Sequence, residues 1–178
     1  SHEASKMICK SFAPIIDHNC RILILGSMPG VKSLTEQQYY AHPYNRFWRL
    51  MCLLLDEDIP LNDYAAKTDM LLKHDIALWD TLAYCEREGS LDSDINAEIP
   101  NDIVGVLNDY PCITTIVCNG GKASSAFKKY FAKQINQEIN LKDFKNREDF
   151  TEQRVITIDG EDYDVEVYVS DNGSLEEN

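Results

Sequence analysis

The sequence lacks any apolar run close to the roughly 20 residues that a membrane-spanning helix requires, and its N-terminus has no apolar signal segment. Its six cysteines form no CxxC pair, and no histidine lies near them at zinc-finger spacing. Neither GxxxxGK(S/T) nor GxGxxG occurs, so the usual nucleotide-cofactor loops are absent. These absences predict a soluble cytoplasmic protein, associated with the nucleoid if the source is prokaryotic, whose cysteines are reduced core residues.

Length and composition fit one globular domain. The chain has 178 residues, of which 44% are hydrophobic and 10% aromatic, and no low-complexity linker or internal repeat divides it. We therefore predict a single domain over residues 7–178. Residues 1–6 are predicted to be an expression remnant or a disordered leader, and are left out of the fold prediction.

Acidic charge is strongly local. The formal net charge is -13, from 17 Lys and Arg against 30 Asp and Glu. Residues 21–50 carry four basic side chains and one acidic, whereas residues 51–111 carry three and fourteen. Residues 112–150 are again basic, and residues 151–178 are acidic. A folded chain can gather its two basic segments on one face that meets phosphates, although scattered solvated charge is at least as good an interpretation of the charge pattern alone.

Alternating apolar runs and amphipathic segments predict an α/β fold. Helices are expected after residue 45 and over residues 122–133, and strands at 21–26, 75–80, 112–118, 155–158 and 165–169. Strands that alternate with helices predict a parallel sheet covered on both faces, with 165–169 as a central strand. In such folds the functional loops follow the carboxyl ends of the strands.

Two loops stand out at this predicted edge. The turn Gly26-Ser-Met-Pro-Gly30 can present backbone N–H groups to an anion or a planar ligand, although a plain strand-to-helix turn looks the same. The segment 36–48 then concentrates aromatic rings, amides, a histidine and an arginine, which together could sandwich and read a nucleobase. Core packing is the favoured interpretation for Phe47 and Trp48, and an ordinary loop histidine remains an alternative for His42. Asn45 could simply cap a helix.

An ordered series of motifs carries a family resemblance. Gly26-Ser-Met-Pro-Gly30, Tyr40-Ala-His-Pro-Tyr-Asn-Arg-Phe-Trp48, the segments 74–82, 89–94 and 100–102, and Asn119-Gly120 resemble the hypoxanthine-DNA (deoxyinosine) glycosylase family of the uracil-DNA glycosylase superfamily. The resemblance implies a three-layer α/β/α sandwich around a central, mostly parallel four-stranded sheet. It implies a monomeric base excision repair enzyme that hydrolyses the N-glycosidic bond of deaminated bases in DNA, with hypoxanthine first and uracil or xanthine as further substrates.

The same resemblance assigns roles to individual residues. Asn45 matches the catalytic asparagine of the Asn-Arg-Phe-Trp motif, since Met28 occupies the place where a mismatch-specific branch has a water-activating asparagine. No metal or cofactor and no membrane is implied, and no matched motif supplies a lysine nucleophile for strand cleavage. The remaining predicted contacts are to the base for Gly26, Ser27, Met28, Pro29, Gly30, Tyr40, His42 and Asn119, and to the DNA backbone for Arg46 and Lys122.

The C-terminal end departs from the family pattern. After the strand at 165–169 the family continues into a Pro- and Ser-rich segment that ends in Ser-Pro-Ala-Asn and enters the minor groove, whereas this chain reads Ser170-Asp-Asn-Gly-Ser-Leu-Glu-Glu-Asn178. We expect residues 170–178 to correspond to sequence beyond a missing segment. Two alternatives therefore stay open: a non-catalytic lesion or nucleic-acid binding module of the same fold, and a hydrolase of a small nucleotide.

Overall fold

The computed structural model describes residues 7–134, 151–158 and 161–169, with side chains over residues 7–131. The predicted leader at 1–6 and the C-terminal residues 170–178 lie outside the described residues. The strands are β1 (Met7–Lys10), β2 (Ile22–Gly26), β3 (Ile76–Asp80), β4 (Leu82–Arg87), β5 (Asn96–Pro100), β6 (Thr115–Cys118), β7 (Thr151–Ile158) and β8 (Glu161–Val169). The helices are α1 (Val31–Glu36), α2 (Phe47–Leu55), α3 (Tyr64–Lys73), α4 (Ile103–Asp109) and α5 (Gly121–Gln134), and a 3-10 turn spans Asp92–Asp94.

The central sheet has the order β3-β2-β6-β8-β7, and its first three strands are parallel. All five residues of β3 are buried, as are the last four of β2, because helices cover both faces of the sheet. On one face Phe47 and Met51 of α2 pack with Met70 and Leu71 of α3. Side chains of α4 and α5 cover the opposite face. The predicted α/β class and the helices on both faces are thus confirmed.

The prediction of a mostly parallel, four-stranded central sheet is wrong in strand number and in the direction of one strand. The sheet has five strands, and β8 runs antiparallel to both β6 and β7. Only residues 159–160 separate β7 from β8, and a connection this short can join antiparallel strands but not parallel ones. The segment 165–169 does lie inside the sheet, between β6 and β7, as predicted for its position.

A second sheet of three antiparallel strands, β1-β4-β5, has no counterpart in the sequence prediction. Its middle strand β4 starts one residue after β3 ends, so the chain passes from one sheet into the other at Thr81. Leu82 and Cys85 of β4 are buried together with Cys9 of β1. This small sheet positions Arg87 and the loop after it beside the carboxyl edge of the central sheet.

All six cysteines are free thiols, as predicted. Four are buried, Cys52 is half-buried and Cys112 is exposed, so the core assignment fails for Cys112 alone. Within the part of the chain that the structure describes, no three His, Cys, Asp or Glu side chains group as a metal site would require. The helices described there are also too short or too polar to cross a bilayer.

Candidate active site

A pocket of about 330 Å³ opens at the carboxyl ends of the three parallel strands. Gly26 ends β2, Asp80 ends β3 and Asn119 follows β6, so the sheet register itself brings these residues together. The volume falls at the lower end of the roughly 300 to 1,000 Å³ typical of small-molecule sites. The lining residues are Gly26, Ser27, Met28, Pro29, Gly30, Val31, Lys32, Ser33, Tyr39, Tyr40, His42, Asn45, Asp80, Ser90, Asp92 and Asn119.

The turn at residues 26–30 forms one wall of this pocket. The N–H of Thr81 donates to the Gly26 carbonyl at 2.7 Å, and the N–H of Leu82 donates to the Ser27 carbonyl at 3.1 Å. A side chain at Gly26 would place its Cβ 2.6 Å from Asp80 Oδ1 and 2.9 Å from Tyr40 Oη. The position therefore requires glycine because two pocket side chains close over it, not because of an unusual backbone angle.

Polar contacts from the second sheet support the same turn. Arg87 is fully buried, and its Nη2 donates to the Pro29 carbonyl at 2.5 Å. The Ser27 hydroxyl donates to Asp92 Oδ1 at 2.7 Å, and this oxygen lies 3.9 Å from Arg87 Nη1. Met28 contributes to the pocket wall but is itself buried in the core cluster below, against β1 and β4. The turn is thus held in place by the Arg87 guanidinium, the Asp92 carboxylate and the buried Met28 side chain.

Tyr40 forms an aromatic wall of the pocket. Its ring stacks on Phe47 with 4.0 Å between centroids and 22° between planes, and its hydroxyl accepts from Asn119 Nδ2 at 3.0 Å. Phe47 does not line the pocket, so the stacked face of Tyr40 is turned away from it. Burial, followed by the nearby Asp80 and offset in part by the Asn119 hydrogen bond, raises the pKa of Tyr40, which stays a neutral phenol. Phe47 and Trp48 are buried, which confirms core packing for both.

Asn45 lies on the exposed side of the pocket, just before α2. Its Oδ1 accepts from the Phe47 N–H, two residues on, at 2.9 Å; this is the hydrogen bond of the capping alternative, although Arg46 occupies the N-cap position of α2. An amide oxygen has two lone pairs, and one remains for a water or a ligand. Capping therefore orients the carboxamide and does not consume it.

The other predicted site residues divide into two groups. His42 lines the pocket, and its Nδ1 accepts from the Tyr44 N–H at 3.2 Å, an arrangement typical of a loop histidine. Arg46 is exposed beside the pocket but does not line it. Lys122 also lies outside the lining, and its ammonium pairs with Glu98 at 2.6 Å. The Glu98 carboxylate also pairs with Lys129, so two lysines share it.

Asp80 was not among the predicted site residues. Its carboxyl lines the pocket although the residue is only 3% exposed, and its Oδ2 has no hydrogen-bond partner among the described residues. Burial first, and the negative charge of Asp92 second, raise the pKa of the Asp80 carboxyl to about 8, while Arg87 lowers it in part. A polar residue at the carboxyl end of a predicted parallel strand was the available signal.

Taken together, these residues define the class of protein. A flat aromatic ring, a fixed carboxamide, a glycine-lined turn and a buried carboxyl surround one pocket at the carboxyl edge of an α/β sheet, the arrangement of an enzyme that holds a planar heterocycle. The chain belongs to the uracil DNA glycosylase superfamily, whose sequence model matches residues 13–171.

Individual relatives show which members of this superfamily the chain is similar to. The chain is 41% identical over 117 residues to a hypoxanthine DNA glycosylase of Methanosarcina acetivorans, a match that covers 66% of this chain and 74% of the relative. It is 38% identical over 114 residues to a hypoxanthine DNA glycosylase of Methanosarcina barkeri, covering 64% and 72%. The solution NMR structure of a candidate uracil DNA glycosylase from Methanosarcina acetivorans is similar, with a TM-score of 0.64, 38% identity and coverage of 72% of this chain and 79% of that one.

Proposed function

We propose that this protein is a monofunctional DNA glycosylase of base excision repair that hydrolyses the N-glycosidic bond of deoxyinosine, with uracil and xanthine as further substrates. The observation that carries the proposal is the convergence of Tyr40, Asn45 and the 26–30 turn on one pocket. Similarity to two hypoxanthine DNA glycosylases at about 40% identity supports the choice of base. All of these groups come from one chain, which fits a monomer as the active form.

The chemistry assigned to the pocket requires no charged nucleophile. Glycosidic cleavage passes through an oxocarbenium-like state, so the protein has to stabilise the departing base and place a water at the anomeric carbon. We assign water placement to the second lone pair of Asn45 Oδ1, since the first is held by the Phe47 N–H. Tyr40, fixed by Phe47 and Asn119, would stack on the extruded base.

Access to a base in DNA requires extrusion of the nucleotide, which costs a few kcal/mol and least for a mispaired base. Lys32 lines the pocket and Arg46 is exposed beside it, so cations stand where the flanking phosphates would lie. We assign backbone contact to Arg46 before Lys122, because Arg46 is exposed beside the pocket, whereas Lys122 is half-buried outside its lining. His42, at the mouth, would contact the base edge.

A base-release assay tests the function itself. The protein is incubated with labelled oligonucleotides that contain hypoxanthine, uracil or xanthine, in single and double strands, and with free deoxyinosine. Release of hypoxanthine from DNA, leaving an abasic site without strand cleavage, is expected. Lesion-dependent gel shifts without release would instead identify a binding module, and activity on free deoxyinosine alone a nucleotide hydrolase.

Replacing Asn45 tests the catalytic assignment. We expect Asn45→Ala to lower the rate of hypoxanthine release at least about 100-fold, because the water loses its positioning group. Asn45→Ser should lower the rate of release equally, because it also lacks the carboxamide. It should keep the wild-type melting temperature, because its hydroxyl oxygen can still accept from the start of α2. The control is Asn19→Ala, an exposed asparagine before β2 at the far end of that strand. Undiminished release by both Asn45 variants would refute the assignment.

A further inference from the structure

The structure leaves one group of the pocket without a role. Asp80 is 3% exposed, faces the pocket, and its Oδ2 is buried without a hydrogen-bond partner. An ionised carboxylate with one oxygen buried away from any described donor is costly, since burial removes the hydration of its charge. The neutral acid is far cheaper to bury, so the surroundings themselves select the protonation state.

The charges around Asp80 also favour the neutral acid. Among the described residues, Arg87 of β4 is the cation that acts on Asp80 and Asp92 the anion, and the Arg87 guanidinium already faces Asp92. The other titratable groups facing Asp80 are the phenols of Tyr39, Tyr40 and Tyr64, each of which has a raised pKa in part because of Asp80. Lys32 lines the same pocket but pairs with Glu36 at 3.0 Å. Bound DNA would add negative charge and favour the neutral acid further.

A neutral carboxyl group has one donor and one acceptor side by side. The deaminated bases present the matching pair, a carbonyl oxygen next to a ring N–H: hypoxanthine, xanthine and uracil all carry it. Resting on the function proposed above, we propose that Asp80 recognises this edge as the protonated acid, its O–H donating to the base carbonyl. The ionised form has no proton to donate and would repel the carbonyl.

Burial and the negative neighbour Asp92 raise the pKa of Asp80 to about 8, so the neutral form dominates at neutral pH and disappears as the pH rises through that value. The wild-type single-turnover rate of hypoxanthine release should therefore fall about tenfold per pH unit above pH 8. Asp80→Asn carries a permanent donor and acceptor of the same shape. It should release hypoxanthine within a few-fold of wild type at pH 7 and lose the alkaline decline that Asp80 causes.

The base itself also loses a proton at alkaline pH. The pH profile of Asp80→Asn measures that effect alone, because this variant acts on the same substrate and has no titrating group at position 80. Asp80→Ala, which has no donor, should be slower by about 10-fold to 1,000-fold, since the base carbonyl loses its hydrogen-bond partner. Identical pH profiles for wild type and Asp80→Asn would overturn the proposal. So would a folded Asp80→Asn variant as slow as Asp80→Ala, because that result would require a carboxylate.

A second measurement needs no enzymatic activity. Between about pH 5 and pH 7 the folded protein holds a proton on Asp80 that the unfolded chain has released, so wild-type stability falls as the pH rises. The unfolding constant of wild type relative to Asp80→Asn should grow about tenfold per pH unit in this range. The exposed Asp69→Asn variant is the control and should show no such trend. A constant ratio for Asp80→Asn would refute the neutral acid whether or not the protein is a glycosylase.

Discussion

At the scale of single residues, the shape of the pocket depends on side chains that lie very close to the backbone at Gly26. The Oδ1 of Asp80 and the hydroxyl of Tyr40 close over the Cα of Gly26, which leaves no space for a methyl group. Asn119 fixes the Tyr40 hydroxyl from the neighbouring strand, and Phe47 supports its ring. Gly26, Tyr40 and Asn119 were predicted from the sequence as base contacts and Phe47 as core, and the base contacts remain predictions.

Gly26→Ala tests this close approach. We expect a loss of about 1 to 3 kcal/mol in unfolding free energy, because the new Cβ forces Asp80 and Tyr40 to shift. Base release should fall in parallel. Gly121→Ala is a matched control, since nothing lies within 4 Å of a Cβ added there. Urea unfolding measures the difference, and equal stability of the two variants would show that the pocket is looser than described.

Residue-scale prediction from sequence failed at Asp80 for a physical reason. The run 75–80 identifies a buried strand, and the strand end correctly places Asp80 at the functional edge. Its burial depends on Tyr40 and Gly26, which reach it from other segments of the chain. Such long-range crowding leaves no local pattern. Arg87 escaped notice in the same way, since one arginine in an alternating strand is typical of exposed surface.

At the scale of elements, the small antiparallel sheet serves the pocket. Its strand β4 delivers the Arg87 guanidinium to the Pro29 carbonyl, and the 3-10 turn delivers Asp92 to Ser27. The sequence predicted the parallel strands and helices α2 and α5 well, because continuous apolar runs and helical spacing are local signals. It missed β1, β4 and β5. The pairing of β1 with β4 joins segments far apart in sequence, and register shifts interrupt the pairing of β4 with β5.

Arg87→Lys tests this support. Lysine keeps the charge but not the planar set of donors, so the Pro29 carbonyl and Asp92 cannot both be reached in the same geometry. We expect a loss of about 2 kcal/mol in unfolding free energy, and a higher KM for hypoxanthine DNA because the 26–30 turn loosens. Arg87→Met should lower the unfolding free energy by at least as much. Wild-type melting temperature and KM in both variants would contradict a supporting role for this side chain.

At the scale of the whole molecule, an acidic protein has to bind a polyanion. The net charge is -13, yet residues 21–50, which form the pocket turn and the aromatic loop, carry a local excess of positive charge. Part of the second basic segment, residues 135–150, lies outside the described residues. In the second segment, Lys122 and Lys129 both pair with Glu98. The first segment lines the pocket itself, which makes it the better candidate for phosphate contact.

Arg46→Ala tests the phosphate contact. Loss of one contact should weaken binding to hypoxanthine and undamaged duplexes alike and make the plot of log affinity against log salt shallower by about 1. Fluorescence anisotropy over a range of salt concentrations measures the slope. Lys73→Ala, which removes a lysine beside the opposite end of the sheet, should leave it unchanged. An unaltered slope for Arg46→Ala would remove this residue from the DNA interface.

The hydrogen bond between Asn45 and the start of α2 orders the Asn45 side chain before any nucleotide binds. Fixing a free polar side chain as a complex forms costs roughly 0.5 to 1.5 kcal/mol of rotamer entropy. Here the helix restrains the amide as soon as the chain folds, through the Phe47 N–H, so the empty enzyme already presents it in a fixed orientation. The arriving nucleotide meets a preorganised group, and more of its binding energy remains available for pulling the base out of the duplex.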